Sequence, residues 1–172
     1  MGMDVYGKNA TSEKGGYFRN NVWWWRPLWD YCLELHGDIC SKVEHGHSND
    51  GDGLDAYDAS LLGDRLLSDV ATGVTAEYEK RYNQAIADLP RTDCDLCGAT
   101  GIRTDKIGVE MGMPTKELAP EVAIVVGRTH GYCNACNGEG QTLPWSANYP
   151  FSVENVRQFG EFLVDSGGFA IY

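Results

Sequence analysis

Residues 94–101, CDLCGATG, and residues 133–140, CNACNGEG, are two Cys-x-x-Cys pairs, each trailed by glycine. Cys94, Cys97, Cys133 and Cys136 supply four thiolates, and two such knuckles, each wrapping one edge of an ion, close a tetrahedral zinc site. The trailing glycines allow the positive-φ backbone that turns amide groups toward the sulfurs. Four cysteines fill the coordination shell, so the expected cofactor is one structural Zn2+ rather than a catalytic ion with an open position. Iron and a labile redox role remain the alternatives. A disulfide framework needs an oxidising compartment, and no hydrophobic leader stands before Asp4 and Lys8; the expected compartment is the cytoplasm. A thioredoxin-like site uses one pair near a βαβ pattern, which two glycine-tailed pairs match poorly. The staple sets the organisation. Residues 91–144 are expected as an inserted zinc hairpin, residues 1–90 as a helical and aromatic part, and residues 145–172 as a helix and strand completing that part, one domain overall.

Outward from the insertion, apolar spacing predicts an α+β fold: a small helical domain with an inserted four-cysteine zinc hairpin and short terminal strands. Residues 1–6 read as a strand ended by Gly7, residues 9–16 as a loop, and residues 169–172 as a terminal strand that invites pairing with the first. Pro27 suits the first turn of a helix. Leu28, Cys32, Leu35, Ile39 and Val43 form its apolar stripe, with Gly37 a point of bending and Cys32 and Cys40 reduced core residues. Asp52 is the expected cap of a second helix carrying Ala59, Leu62, Leu66 and Val70, ended by Gly73. Thr75 is the expected cap of a third, with Tyr78, Tyr82, Ile86 and Leu89, stopped by Pro90. Ser152 caps a fourth, with Val156, Phe159 and Leu163, broken at Gly167 and Gly168. Inside the insertion, residues 102–109 and 122–126 read as hairpin strands joined by a polar loop at 111–120. His130, just ahead of Cys133, either tunes the metal site or simply lies on the hairpin.

Of 172 residues, 14 are Lys or Arg and 25 are Asp or Glu, a net charge of −11. Four thiolates around a dication add about two more negative charges. Such a chain repels phosphate backbones, which disfavours nucleic acid as a partner. The charge either keeps the protein soluble or docks an acidic face on a basic protein. No apolar run approaches the length of a membrane span.

Two other constellations carry chemistry. Residues 17–29, YFRNNVWWWRPLW, hold three consecutive tryptophans that cannot all face one core in either a strand or a helix. Arg19, Asn20, Asn21, Trp23, Trp24, Trp25 and Arg26 are therefore candidates for stacking a base, a sugar or a partner side chain. The competing reading is a dense core that fixes the chain start to the helices. In the loop after residue 44, His45, His47, Asp50 and Asp52 are candidates for a second metal site that would activate water. A calcium loop is a poor match, because Ser48 and Ala59 fall at ligand positions. The competing reading is a glycine-rich helix entry with capping aspartates. The chain has no G-x-S-x-G, no phosphate-cradling glycine loop and no H-E-x-x-H.

The second knuckle, residues 133–140, resembles the CxxCxGxG repeat of DnaJ-type co-chaperones; the first has Ala99 where that repeat has its first glycine. Those proteins carry four repeats and a J-domain His-Pro-Asp triplet, whereas this chain has two repeats and no such triplet. The resemblance implies a zinc hairpin over residues 94–140. Across most of the chain, MDVYGKN (3–9), GGYFRNNVWWWRPLWDYC (15–32), HSNDGDGLDA (47–56), the knuckles, WSANYPFSVENVRQF (145–159) and GGF (167–169) resemble a phage and bacterial protein family with no assigned biochemical role. That resemblance implies a phage or prophage setting. The leading expectation is a non-enzymatic, zinc-stabilised binding protein that binds or modulates a host or defence protein in the bacterial cytoplasm. The rivals are a small-ligand or nucleotide-binding protein using the tryptophan block, a metallohydrolase using the His45–Asp55 loop, and a DnaJ-like holdase.

Overall fold

The computed structural model describes residues 2–172, so Met1, expected in the first strand, lies outside the described residues. In chain order the elements are β1 (Gly2–Gly7), α1 (Glu13–Gly16), β2 (Tyr17–Asn21), α2 (Val22–Cys40), α3 (Ala56–Thr72) and α4 (Val74–Ala87). Then follow β3 (Thr92–Asp93), α5 (Lys106–Glu110), α6 (Pro120–Val126), β4 (Gln141–Thr142), α7 (Val153–Ser166) and β5 (Phe169–Ile171). The fold is α+β. It divides into two compact units, Met1–Ala87 with Asn148–Tyr172, and Asp88–Ala147.

In the first unit β1 is the central strand of an antiparallel sheet of order β2-β1-β5, so the two chain ends pair. Val5 lies opposite both Phe18 and Ile171, and Tyr6 opposite Tyr17. The period of two sends Met3, Val5 and Phe18 into the core and leaves Asp4, Tyr6, Tyr17 and Arg19 on the other face. Trp25 and Trp29 stack at 5.7 Å, with Phe159 and Phe169 edge-on to them. The indole N–H of Trp25 donates to Gly46 O at 2.8 Å, which makes its full burial tolerable.

Several boundaries differ from those expected. Helix α2 begins at Val22 rather than at Pro27, because Asn21 Oδ1 accepts from the amides of Trp23 and Trp24 at 3.0 and 3.1 Å. Pro27 sits inside the helix. At His36 the backbone leaves helical geometry (φ −130°, ψ 35°), beside the expected bend at Gly37. Leu35, just before the kink, is exposed, while Ile39 and Val43 beyond it are buried. Asp55, not Asp52, caps α3, accepting from Asp58 N at 2.9 Å. Thr75 is within α4 and buried, its hydroxyl 2.9 Å from that of Tyr31. Ser12 caps the short α1 in the segment read as loop. Helices α3 and α7 cross through Gly63 and Gly160. A Cβ on Gly63 would stand 2.9 Å from Val164 N and 3.0 Å from Gly160 O.

In the second unit β3 pairs with β4, Thr92 opposite Thr142. The segments expected as hairpin strands, 102–109 and 122–126, are not strands: the second half of the first lies in the short helix α5, and the second lies in α6. Pro120 supplies a preset φ at the start of α6, and Gly127 ends it at φ 70°. The chain returns through Leu118 N to Thr129 O and Gly131 N to Lys116 O, both 2.9 Å. Cys94, Cys133 and Cys136 are the buried cluster of this unit, with Cys97 against it; Met113 and Leu118 are its other buried apolar side chains.

Candidate metal centre

Each knuckle builds its turn from its own backbone. Ala99 N donates to Cys94 O, and Gly138 N to Cys133 O; Thr100 N donates to Cys97 O, and Glu139 N to Cys136 O. Positive φ falls at Gly98, Ala99 and Gly101 in the first, and at Asn137, Gly138 and Gly140 in the second. Each position has its counterpart 39 residues on, the separation between Cys94 and Cys133. Among the described residues, Ala99 (φ 65°) and Asn137 (φ 52°) are the only non-glycine residues at positive φ. Strain of this kind persists where surrounding structure enforces it.

The turns aim amides at sulfur. Gly101 N donates to Cys97 Sγ and Gly140 N to Cys136 Sγ, both at 3.2 Å. The knuckles also face each other reciprocally. A Cβ on Gly101 would fall 2.3 Å from Gly138 O, and one on Gly140 would fall 2.3 Å from Ala99 O. The sulfurs follow the same pseudo-two-fold relation, Cys94 to Cys133 at 3.9 Å and Cys97 to Cys136 at 3.8 Å. All four lie within 4.8 Å of one another. A metal–sulfur bond of about 2.3 Å puts tetrahedral sulfurs about 3.8 Å apart. The thiols thus hold the spacing of a metal shell, too far apart for S–S bonds.

Electrostatics favour a cation here. Burial pushes the Cys136 thiol up to about 12, against the amides of Gly140 and Gly138. Burial likewise raises Cys97. At Cys94 burial acts upward too, but hydrogen bonds from the Cys97 and Leu96 amides and from neighbouring thiols outweigh it, and the net shift is down. Four thiolates at this distance repel each other strongly, and a divalent ion removes that cost while replacing their protons. Around the second knuckle, Arg103 Nη1 donates to Asn134 Oδ1 at 3.1 Å and Tyr132 Oη to Asn137 Oδ1 at 3.0 Å. His130 is exposed, its Nδ1 2.9 Å from Thr129 Oγ1, and is not among the clustered ligands.

The chain matches no protein-family model, no curated protein and no solved structure. Among the described residues, no helix is long and apolar enough to cross a membrane.

The other candidates lie in the first unit. Asn20 is buried and donates to Asn155 Oδ1 at 2.8 Å, while Asn21 caps α2. Trp25 is core; Trp23 and Trp24 are half-buried, with Trp23 packed on Tyr149 at 5.0 Å. Arg26 lies over the same Tyr149 ring, and Arg19 sits 3.7 Å from Asp4. In the loop, Asp52 accepts from the backbone amides of His45 and Gly53, and Asp50 from Ser48 Oγ and Asp52 N. His47 pairs with Asp30 at 3.0 Å, and His45 Nδ1 is 4.0 Å from Asp50. Among the described residues, the four cysteines are the one set of three or more side chains spaced to share an ion.

Sequence reasoning passed over three tyrosines. Tyr6, Tyr17 and Tyr172 stand about half exposed with their rings in contact on the outer face of the sheet. The signal was the strict alternation of residues 3–6 and 17–21, which assigns Tyr6 and Tyr17 to the outer side once the strands are paired.

Proposed function

We propose that this chain is a non-enzymatic binding protein whose second unit is closed by one structural zinc ion. It acts on a protein partner in the bacterial cytoplasm. Its most specific form is a phage-encoded factor that binds or modulates a host or defence protein. The observation that carries the reading is the four-thiol shell: it has tetrahedral spacing and leaves no coordination position for substrate or water.

A unit whose buried side chains are mostly ligands has apolar residues left over for its surface. Ile124 and Val125 of α6 are 82% and 77% exposed, as is usual where another surface packs. The net charge of −11 supports a basic partner over nucleic acid. The phage setting rests on the sequence resemblance alone.

The test is native mass spectrometry with elemental analysis of protein purified without chelator, followed by pull-downs with the wild type and an Ile124→Ser/Val125→Ser variant. One zinc per chain, and a partner lost with the variant, is the expected result. Absence of metal, iron in its place, or a retained nucleotide-like molecule would overturn the reading in a distinguishable way.

A further inference from the structure

The sheet of the first unit turns one face to the core and the other outward. On the outer face three tyrosines form a row, one from each strand region. Tyr17 lies opposite Tyr6 with ring centroids 5.0 Å apart, and Tyr172 stands 6.0 Å from Tyr6 on the other side. Tyr172 is held in register with β1, its N–H donating to Asp4 O at 2.7 Å and its C=O accepting from Asp4 N at 2.8 Å. The three residues are 47%, 45% and 55% exposed in the order 6, 17, 172. Contiguous, half-exposed tyrosines on a rigid sheet are the composition of a recognition surface.

The charges bordering the row are mainly negative. Asp4 stands beneath it and accepts from the Tyr17 hydroxyl. The loop at 49–52 closes the far end: Asn49 Nδ2 donates to Gly2 O at 2.9 Å, and Gly51 N to Ile171 O at 2.8 Å. A Cβ on Gly51 would lie 3.3 Å from the Tyr172 ring, and its chain neighbours are acidic: Asp50, which is exposed, and Asp52, whose carboxylate also accepts from His45 N and Gly53 N. The cations near the row are already paired: Arg19, on the same face, is 3.7 Å from Asp4, and Lys14, beside Tyr17, is 2.9 Å from Glu161.

We propose that this tyrosine row docks an extended basic segment of a partner protein, its arginine or lysine side chains lying across the rings and reaching the carboxylates. The ring faces attract cations, and the carboxylates add charge-assisted hydrogen bonds to the same groups. A phosphate backbone would meet Asp4, Asp50 and Asp52 instead, which argues against nucleic acid on this face. The proposal deepens the protein-binding reading by naming the partner's chemistry, and it uses no residue of the metal centre.

The experiment titrates the purified full-length protein with a fluorescent arginine–glycine repeat peptide. Glutamate–glycine peptide, oligouridylate and a maltooligosaccharide serve as competing probes. The basic peptide binds, more weakly at high salt, and Tyr6→Ala or Tyr172→Ser each weakens it about two- to five-fold. Tyr6→Phe keeps the binding, because the ring face remains. The hydrogen bonds that tie Tyr172 to β1 are made by its backbone N–H and C=O, so a change of its side chain leaves the sheet intact. Cys94→Ser, which disables the metal centre, leaves peptide affinity unchanged and so separates the two readings. Equal affinity in the tyrosine variants would reduce the effect to net charge and overturn the proposal. Binding of oligouridylate or the saccharide in place of the peptide would also overturn it.

Discussion

Ala99 occupies a knuckle position whose counterpart in the other half of the metal centre is glycine. That counterpart, Gly138, has φ 85°, and Ala99 itself is held at φ 65°. A residue with a Cβ costs about 1–2 kcal/mol in the left-handed region. Glycine loses more freedom on folding, which offsets about 0.5–1 kcal/mol of that. Ala99 is exposed, so removing its methyl forfeits little packing. Ala99→Gly should therefore stabilise the closed knuckle by about 0.5–1 kcal/mol. Because metal binding and local folding are coupled, the affinity of the four-cysteine site for a metal ion should tighten about two- to five-fold. The reciprocal Gly138→Ala should weaken it by at least as much, since its Cβ would also stand 3.1 Å from Leu118 Cδ2. Competition against a chromophoric chelator measures both. If Ala99→Gly weakens binding, or if both variants match the wild type, the knuckles do not impose the backbone described and the pseudo-two-fold argument fails.

Stripping the metal should remove amide protection from residues 94–140 while the first unit keeps it, since that unit's core of Trp25, Trp29, Phe159 and Phe169 contains no ligand. Hydrogen exchange before and after chelation reads this, and protection that survives in the knuckles would count against it. Gly63→Ala should lower the urea midpoint by the equivalent of about 1–3 kcal/mol, because its Cβ would meet α7 backbone at about 3 Å. Gly37→Ala, with nothing near its Cβ, should be neutral or stabilising by up to about 1 kcal/mol. Burial raises Tyr78 to about 12 and raises Tyr31 further. An acid whose folded pKa is raised is favoured in its neutral form. That stability is fully present below about pH 10 and is lost as pH rises toward the folded values. Urea midpoints should accordingly fall between about pH 10 and about pH 12, and a flat profile would show that neither phenol is buried as described.

The parts legible in the sequence are those whose determinants are local. The knuckles were readable because ligand spacing and glycine placement lie within a single short stretch of chain, α7 because stripe, cap and terminal glycine coincide, and α3 by its stripe and terminal Gly73 although its cap is Asp55 rather than Asp52. Two features of the chain's own segments required the tertiary structure. Helix α2 hides its start inside an aromatic block, where Asn21 acts as a cap and Pro27 is the more conspicuous signal. The run of residues 122–126 is rich in β-branched side chains, and its composition favours a strand, but a strand needs a partner. With Pro120 setting φ and Gly127 ending the segment, the run closes its hydrogen bonds locally as a helix and turns Ile124 and Val125 outward.

The tyrosine row was out of reach for a different reason. It joins residues 6, 17 and 172, and only antiparallel pairing of β2 and β5 with β1 brings them side by side. A conspicuous block such as the three tryptophans attracts a functional reading because it is dense in sequence. Density along the chain is instead what a helix needs to fill a core: Trp25 and Trp29, four apart, fall on one face and stack there. The tyrosine row is assembled from single residues, each unremarked in its own segment, on the sheet face that the core does not use.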